Sequence, residues 1–214
     1  VGAVFVFVFY KIHDFFEKLS LPLWLKPCIG GILTGFIAIF IITTPGSSYN
    51  YLQAIFHSEL SLFLILGLIV GKILTTSFSI GSGGSGGVFG PSMVIGGAVG
   101  GATGIIYNSL VHPSLALSYG TMAVLGMAGF FTAVANTPIS TLIMVSEMTG
   151  DFSLLVPGLW VIGLSYMLSR KYSIYRDQIK DSMSSPAFRE NFRCKLLAGY
   201  KAVSYTHLTL PTKR

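Results

Sequence analysis

The stretch Gly81 to Gly104, GSGGSGGVFGPSMVIGGAVGGATG, is a glycine-rich, uncharged turn that runs into an apolar helix with Pro91 in its first turn. The first N–H groups of a helix have no partner within the helix, and the helix dipole places partial positive charge beside them. Such a start favours an anion without offering it a full positive charge. The chemistry of these residues is therefore that of an anion pathway rather than of an enzyme site.

Both flanks of the turn are long apolar segments, which places it at membrane depth. Backbone left bare at that depth is tolerated only where protein buries it or where it lines a polar cavity. Leu60 to Ser79 reads as a membrane helix leading into the turn, and Pro91 to Leu110 as the helix leaving it. Gly96, Gly97, Gly100, Gly101 and Gly104 form a packing face on the second of these, since small residues let membrane helices approach closely.

Upstream, Val1 to Leu19 begins apolar and becomes amphipathic. Leu23 to Ile42 reads as a second helix, with Gly30, Gly31 and Gly35 as close-packing points. A turn (Thr43 to Asn50) and a short helix (Tyr51 to His57) follow. Downstream, Tyr119 to Val134 is helical, and Asn136, Thr137 and Pro138 signal the start of a short helix, Ile139 to Met148. Asp151 is the expected cap of the next helix, Phe152 to Leu168. Several of these segments are too short to cross about 30 Å of hydrocarbon. Short and glycine-interrupted helices accompany transport sites near the bilayer midplane.

Composition agrees with this arrangement. Of 214 residues, 52% are hydrophobic and 10% charged, with a mean hydropathy of +0.71. A soluble domain carries about a quarter charged residues. Between Lys26 and Arg170 the only formal charges are Glu59, Lys72, Glu147 and Asp151. The net charge of +6 does not indicate nucleic acid, because ten of the fourteen Lys and Arg residues lie from Arg170 onward. Basic clusters beside apolar spans mark cytoplasmic edges. Cys28 and Cys194 form no disulfide framework, and the four histidines form no metal-ligand pair. Neither a metal nor a cofactor is expected.

The glycine turn also matches G-x-G-x-x-G from Gly81 to Gly86. A dinucleotide site needs a preceding strand and an acidic residue about twenty positions on, whereas a membrane helix precedes this turn and no acid occurs between Glu59 and Glu147. Lys72 lies in a membrane helix, where snorkelling or pairing is expected rather than contact with an ion. Glu147 reads as structural, although an ionisable residue in an apolar helix is a functional candidate by default.

GGVFGP, Gly86 to Pro91, resembles the G-x-F-x-P signature of the CLC chloride channel and chloride/proton antiporter family. The resemblance continues through Gly126 to Pro157 and through SIYRDQ, Ser173 to Gln178, and covers about residues 1 to 195. It implies an all-α membrane protein of the CLC fold, built with re-entrant and short tilted helices. The chain corresponds to the second of two inverted repeats plus the last helix, the C-terminal half of one subunit. The opening at Val1 within an apolar run reads as a missing N-terminal part. The resemblance assigns residues 1–181 to the transmembrane domain and 182–201 to a cytoplasmic linker. Residues 202–214, with no helical period, read as a non-native tail.

The resemblance also implies a site. The main-chain N–H groups of Val88 and Phe89, within the motif that includes Gly87 and Pro91, would hold chloride together with the hydroxyl of Tyr175. A tyrosine by itself would more ordinarily belong to the interfacial belt. Several weak, converging donors suit an ion that must also leave. The implied partners are chloride, the lipid bilayer and a second copy of the subunit in a homodimer, in the plasma membrane with the C-terminus cytoplasmic. The competing readings are another secondary transporter, with a re-entrant glycine loop and a non-halide substrate, and a membrane subunit without a pore.

Overall fold

The computed structural model describes residues 1–111, 116–150, 152–170 and 172–175. The chain divides into two compact units, Val1–Ile174 and Tyr175–Arg214, and every element below belongs to the first. Among the described residues all regular structure is helical: α1 (Gly2–Lys18), α2 (Leu25–Phe40), α3 (Tyr49–Phe56), α4 (Leu62–Gly81), α5 (Phe89–Leu110), α6 (Tyr119–Ala135), α7 (Pro138–Thr149) and α8 (Leu155–Ser169), the last preceded by a 3-10 turn, Phe152–Leu154. The expected cap Asp151 lies outside the described residues, as does most of the expected last helix, Ser173 to Asp181, whose first three residues, Ser173 to Tyr175, are described and are not helical.

Among the described residues three segments are long and apolar enough to cross a membrane: Leu62–Gly81, Phe89–Leu110 and Phe152–Ser169. By contrast, α7 has 12 residues, about 18 Å of helix at 1.5 Å per residue, which falls short of the hydrocarbon thickness. Its start follows the sequence signal, with Pro138 at the first helical positions and Thr137 at the N-cap.

The centre of the first unit is the pair α5 and α6, in closer contact than any other two elements. The doubled glycines of α5 cut two notched faces rather than one. Gly96 and Gly100 face α6: a methyl on Gly96 would lie 2.8 Å from the Gly126 carbonyl oxygen, and one on Gly100 would meet the Met122 carbonyl. Gly97 and Gly101, one position on, receive Leu52 and Ile55 of α3. Adjacent helical positions point about 100° apart, so a GG-x-x-GG pattern serves two neighbours at once.

The second expected packing stripe is only partly realised. Gly30 of α2 lies against α4, where a methyl would come within 2.6 Å of the Phe78 carbonyl oxygen. Gly31 and Gly35 face open space, with nothing within 4 Å. Positions 30, 31 and 35 do not share a face with the α4 contact, because 31 and 35 are rotated away from 30. The face they mark carries Ile32, Ile39 and Phe40 outward and exposed.

Helix α1 packs on α4 and α6. Its apolar side buries Phe5, Val6 and Phe9, and Phe5 meets Phe130 of α6 with ring centroids 5.9 Å apart.

Candidate functional site

The site is built where α4 ends and α5 begins. Gly83 adopts φ 91°, a left-handed conformation that a side chain would strain. Its N–H donates to the Ile80 carbonyl at 2.9 Å, and the N–H of Gly84 donates to the Ser79 carbonyl at 3.1 Å. These two bonds are a Schellman motif, and they satisfy the carbonyls that a helix end leaves open. A methyl on Gly84 would collide with the Ser79 carbonyl oxygen. The glycines thus end α4 abruptly and release the chain into the exposed segment Ser85 to Gly87.

The chain re-enters helix at Phe89, two residues before the expected start, with Pro91 third in α5. Val88 is the N-cap, and its carbonyl accepts both the Ser92 N–H at 3.0 Å and the Ser92 hydroxyl at 2.7 Å. Side chains fix this helix start from two sides. Val88 packs against the core formed by α1, α4, α5 and α6. Phe89 enters the other core, edge-on to Phe131 at 5.1 Å. With both side chains occupied, their main chain is what the turn presents.

Among the described residues no acceptor takes the N–H of Val88, Phe89 or Gly90. The next residue, Pro91, has no N–H to offer. Three consecutive donors therefore stand at the positive end of α5. The sequence reading named only two of them. The third was signalled by the proline: the N–H groups before a proline in the first turn are those with no intrahelical acceptor. Beside Gly90 stands Tyr49, whose hydroxyl would lie 3.2 Å from a methyl placed on that glycine.

Gly87, Val88, Phe89 and Pro91 are thus brought together at one helix start. Tyr175 opens the second unit and is described by itself; it is half-exposed. The residues just before it are firmly held within the first unit. The N–H of Ile174 donates to the Val134 carbonyl at 3.0 Å, and Asn136 Nδ2 donates to the Tyr172 carbonyl at 3.2 Å.

Lys72 does not snorkel. It is buried on α4, and its ammonium donates to the Thr44 carbonyl at 3.1 Å, the Gly46 carbonyl at 2.6 Å and the Ser48 hydroxyl at 2.9 Å. Glu147 is exposed near the end of α7. Among the described residues no group of three or more His, Cys, Asp and Glu side chains is arranged to hold a metal ion.

Residues 1–170 match the family model described as voltage gated chloride channel. An uncharacterized protein of Methanocaldococcus jannaschii is 33% identical over 176 residues, covering 82% of this chain and 42% of its own length. The voltage-gated ClC-type chloride channel ClcB of Salmonella typhimurium is 33% identical over 180 residues, with the same coverage of 82% and 42%. A crystal structure of a slow cyanobacterial Cl-/H+ antiporter superposes with a TM-score of 0.67 at 25% identity, covering 79% of this chain and 40% of the other. The chain spans about two fifths of the length of the relatives it matches.

Proposed function

The chain belongs to the voltage-gated chloride channel family and has its all-α fold, and from that premise we propose that the protein carrying it moves chloride across a membrane. The observation that carries this reading is the row of three unpartnered N–H groups at Val88, Phe89 and Gly90, at the start of a helix long enough to span. A halide needs converging weak donors and must be free to leave. Backbone amides held by the packed, partly buried side chains of Val88 and Phe89 meet both requirements.

The chain acts in this reading as the second of two inverted repeats, with Tyr175 supplying a hydroxyl to the same ion. Transport, not covalent chemistry, is its work, and it uses no cofactor. Two copies associate in the bilayer through the outward faces of α7 and α8, in the plasma membrane with the C-terminus cytoplasmic. The apolar residues Ile139, Ile143, Val156, Leu159 and Trp160 are exposed on these helices, as a contact buried in lipid or in a partner requires.

Chloride efflux from liposomes containing the full-length protein tests the reading. Efflux that requires the protein supports it; liposomes that retain their chloride while releasing another solute would point to a non-halide transporter.

A further inference from the structure

We propose that Lys72 is the fixed counter-charge of the anion held at the Val88–Phe89 turn, attracting it without touching it; the proposal rests on the anion reading above. Lys72 is almost fully buried in a helix long enough to span the membrane. Its three ammonium protons are taken up by two carbonyls and a hydroxyl, and none of these acceptors is a carboxylate. Its hydrogen bonds are therefore complete, while among the described residues no carboxylate pairs with its charge. An unbalanced charge at low dielectric is costly unless an opposite charge comes near.

In this proposal the opposite charge is the anion itself, reached through a shared cavity. Lys72 lines a cavity of about 280 Å³ together with Gly86, Gly87 and Pro91, the residues that flank the anion turn. The hydroxyl-bearing residues Thr34, Thr44, Thr75, Thr76 and Ser79 share its wall with the apolar Ala38, Pro45 and Ile80. Because every N–H of the ammonium is already engaged, the lysine has no donor free to coordinate the ion. It supplies field alone. This resolves the conflict between attracting an anion and releasing it: contact with a cation would hold the ion too firmly, whereas a sequestered cation deepens the site without adding a bond that must break. At an effective dielectric near 20, a unit charge held near the ion but out of contact alters anion binding by on the order of tenfold.

The clamp also fixes where the charge sits. Ser48, which accepts from Lys72, donates its own hydroxyl to the Thr43 carbonyl at 2.9 Å. The loop that holds the ammonium is thereby tied to itself and cannot follow the ion.

The test is chloride calorimetry on the full-length protein with Lys72→Met, Lys72→Gln, Lys72→Arg and Ser48→Ala, each checked for its melting temperature. The two neutral variants are expected to bind chloride about tenfold more weakly. Lys72→Arg, which keeps the charge but disturbs the clamp, is expected to bind nearly as the parent does. Ser48→Ala, which loosens the clamp and keeps the charge, should lose stability and retain affinity. Parent-like affinity in either folded neutral variant would overturn the proposal, as would equal losses in Lys72→Gln and Ser48→Ala. A parent protein that binds no chloride would instead overturn the anion reading itself.

Discussion

The hydroxyl of Tyr10 donates to the carbonyl of Ile174, so the first helix of the chain holds the residue that directly precedes Tyr175. Ile174 is buried, and its N–H is bound to Val134. Both of its main-chain polar groups are therefore engaged, one by α1 and one by α6. One turn further along α1, His13 Nδ1 lies 3.2 Å from the carbonyl oxygen of Gly81, the residue that opens the glycine turn. Two side chains of a single helix thus reach the approaches to both parts of the expected site.

Tyr10→Phe removes one hydrogen bond to a buried carbonyl and should cost about 1–3 kcal/mol of stability. In the full-length protein it should also weaken chloride binding, because the segment entering Tyr175 is less firmly held. Tyr175→Phe, which removes the proposed ligand itself, should weaken binding by a similar ~1–3 kcal/mol. Calorimetry on both variants and their combination is the check. If Tyr10 acts through Tyr175, the double variant loses less than the two single losses together.

The two glycine stripes predict opposite outcomes for one kind of substitution. Gly100→Ala drives a methyl into the Met122 backbone and should destabilise by about 1–3 kcal/mol through overpacking. Gly35→Ala adds a methyl in open space and should be neutral or stabilising, by up to about 1 kcal/mol of helix propensity. Thermal unfolding in detergent distinguishes them. Equal losses at both sites would mean that α2 is packed on a face this chain leaves open.

These stripes also mark what could be read from the sequence. Helix order, the spanning segments, the α7 start at Pro138 and the turn at Gly81 to Gly87 were legible, because each is a local rule of hydropathy or backbone chemistry. Gly31 and Gly35 were misassigned for a reason of the same kind. Spacing shows that small residues cluster, but only tertiary placement shows which of them meets a neighbour. The doubled glycines of α5 were seen as one face, and their division between α3 and α6 depends on a helix distant in sequence. At the α5 start the Val88–Phe89 motif was legible, while the Gly90 N–H, which Pro91 signals, was not named. The Lys72 clamp was not legible, because its acceptors are main-chain atoms and carry no side-chain signature.

The glycine turn should be intolerant at two positions for different reasons. Gly83→Ala meets no neighbour but must hold φ 91°, a strain of about 1–2 kcal/mol. Gly84→Ala collides with the Ser79 backbone and should displace the start of α5. In the full-length protein, chloride affinity should fall further for Gly84→Ala than for Gly83→Ala. The reverse order in calorimetry would show that backbone conformation, and not close approach, positions the amides.

The proposed homodimer would use the exposed faces of α7 and α8. Ile143 points outward and is exposed, whereas Leu155 lines a small apolar cavity with Leu142 and Gly158. Ile143→Trp should therefore weaken dimerisation in detergent or lipid without unfolding the subunit, since it enlarges a contact surface and leaves the core intact. Leu155→Trp should lower the melting temperature instead, because it overfills a packed site. Size-exclusion chromatography with cross-linking separates the two effects. A dimer untouched by Ile143→Trp would place the contact elsewhere.

A polypeptide of residues 1–200 alone should not transport chloride. The donors it would bring to an ion are the N–H groups of Val88, Phe89 and Gly90 and the proposed Tyr175 hydroxyl, half of a coordination shell. A transport site built from two repeats needs helix starts from both to surround its substrate. Without the second set, the open side of the ion would meet lipid or water. The three N–H groups would themselves be left in hydrocarbon, where each unmet polar group costs about 2–7 kcal/mol, depending on the reference state. The isolated segment should consequently be unstable in detergent and inert in a halide efflux assay, while the full-length protein is active in the same liposomes. Sustained, chloride-selective efflux from the segment alone would show that these amides suffice without a second half, and the two-repeat reading of the site would fail with that result.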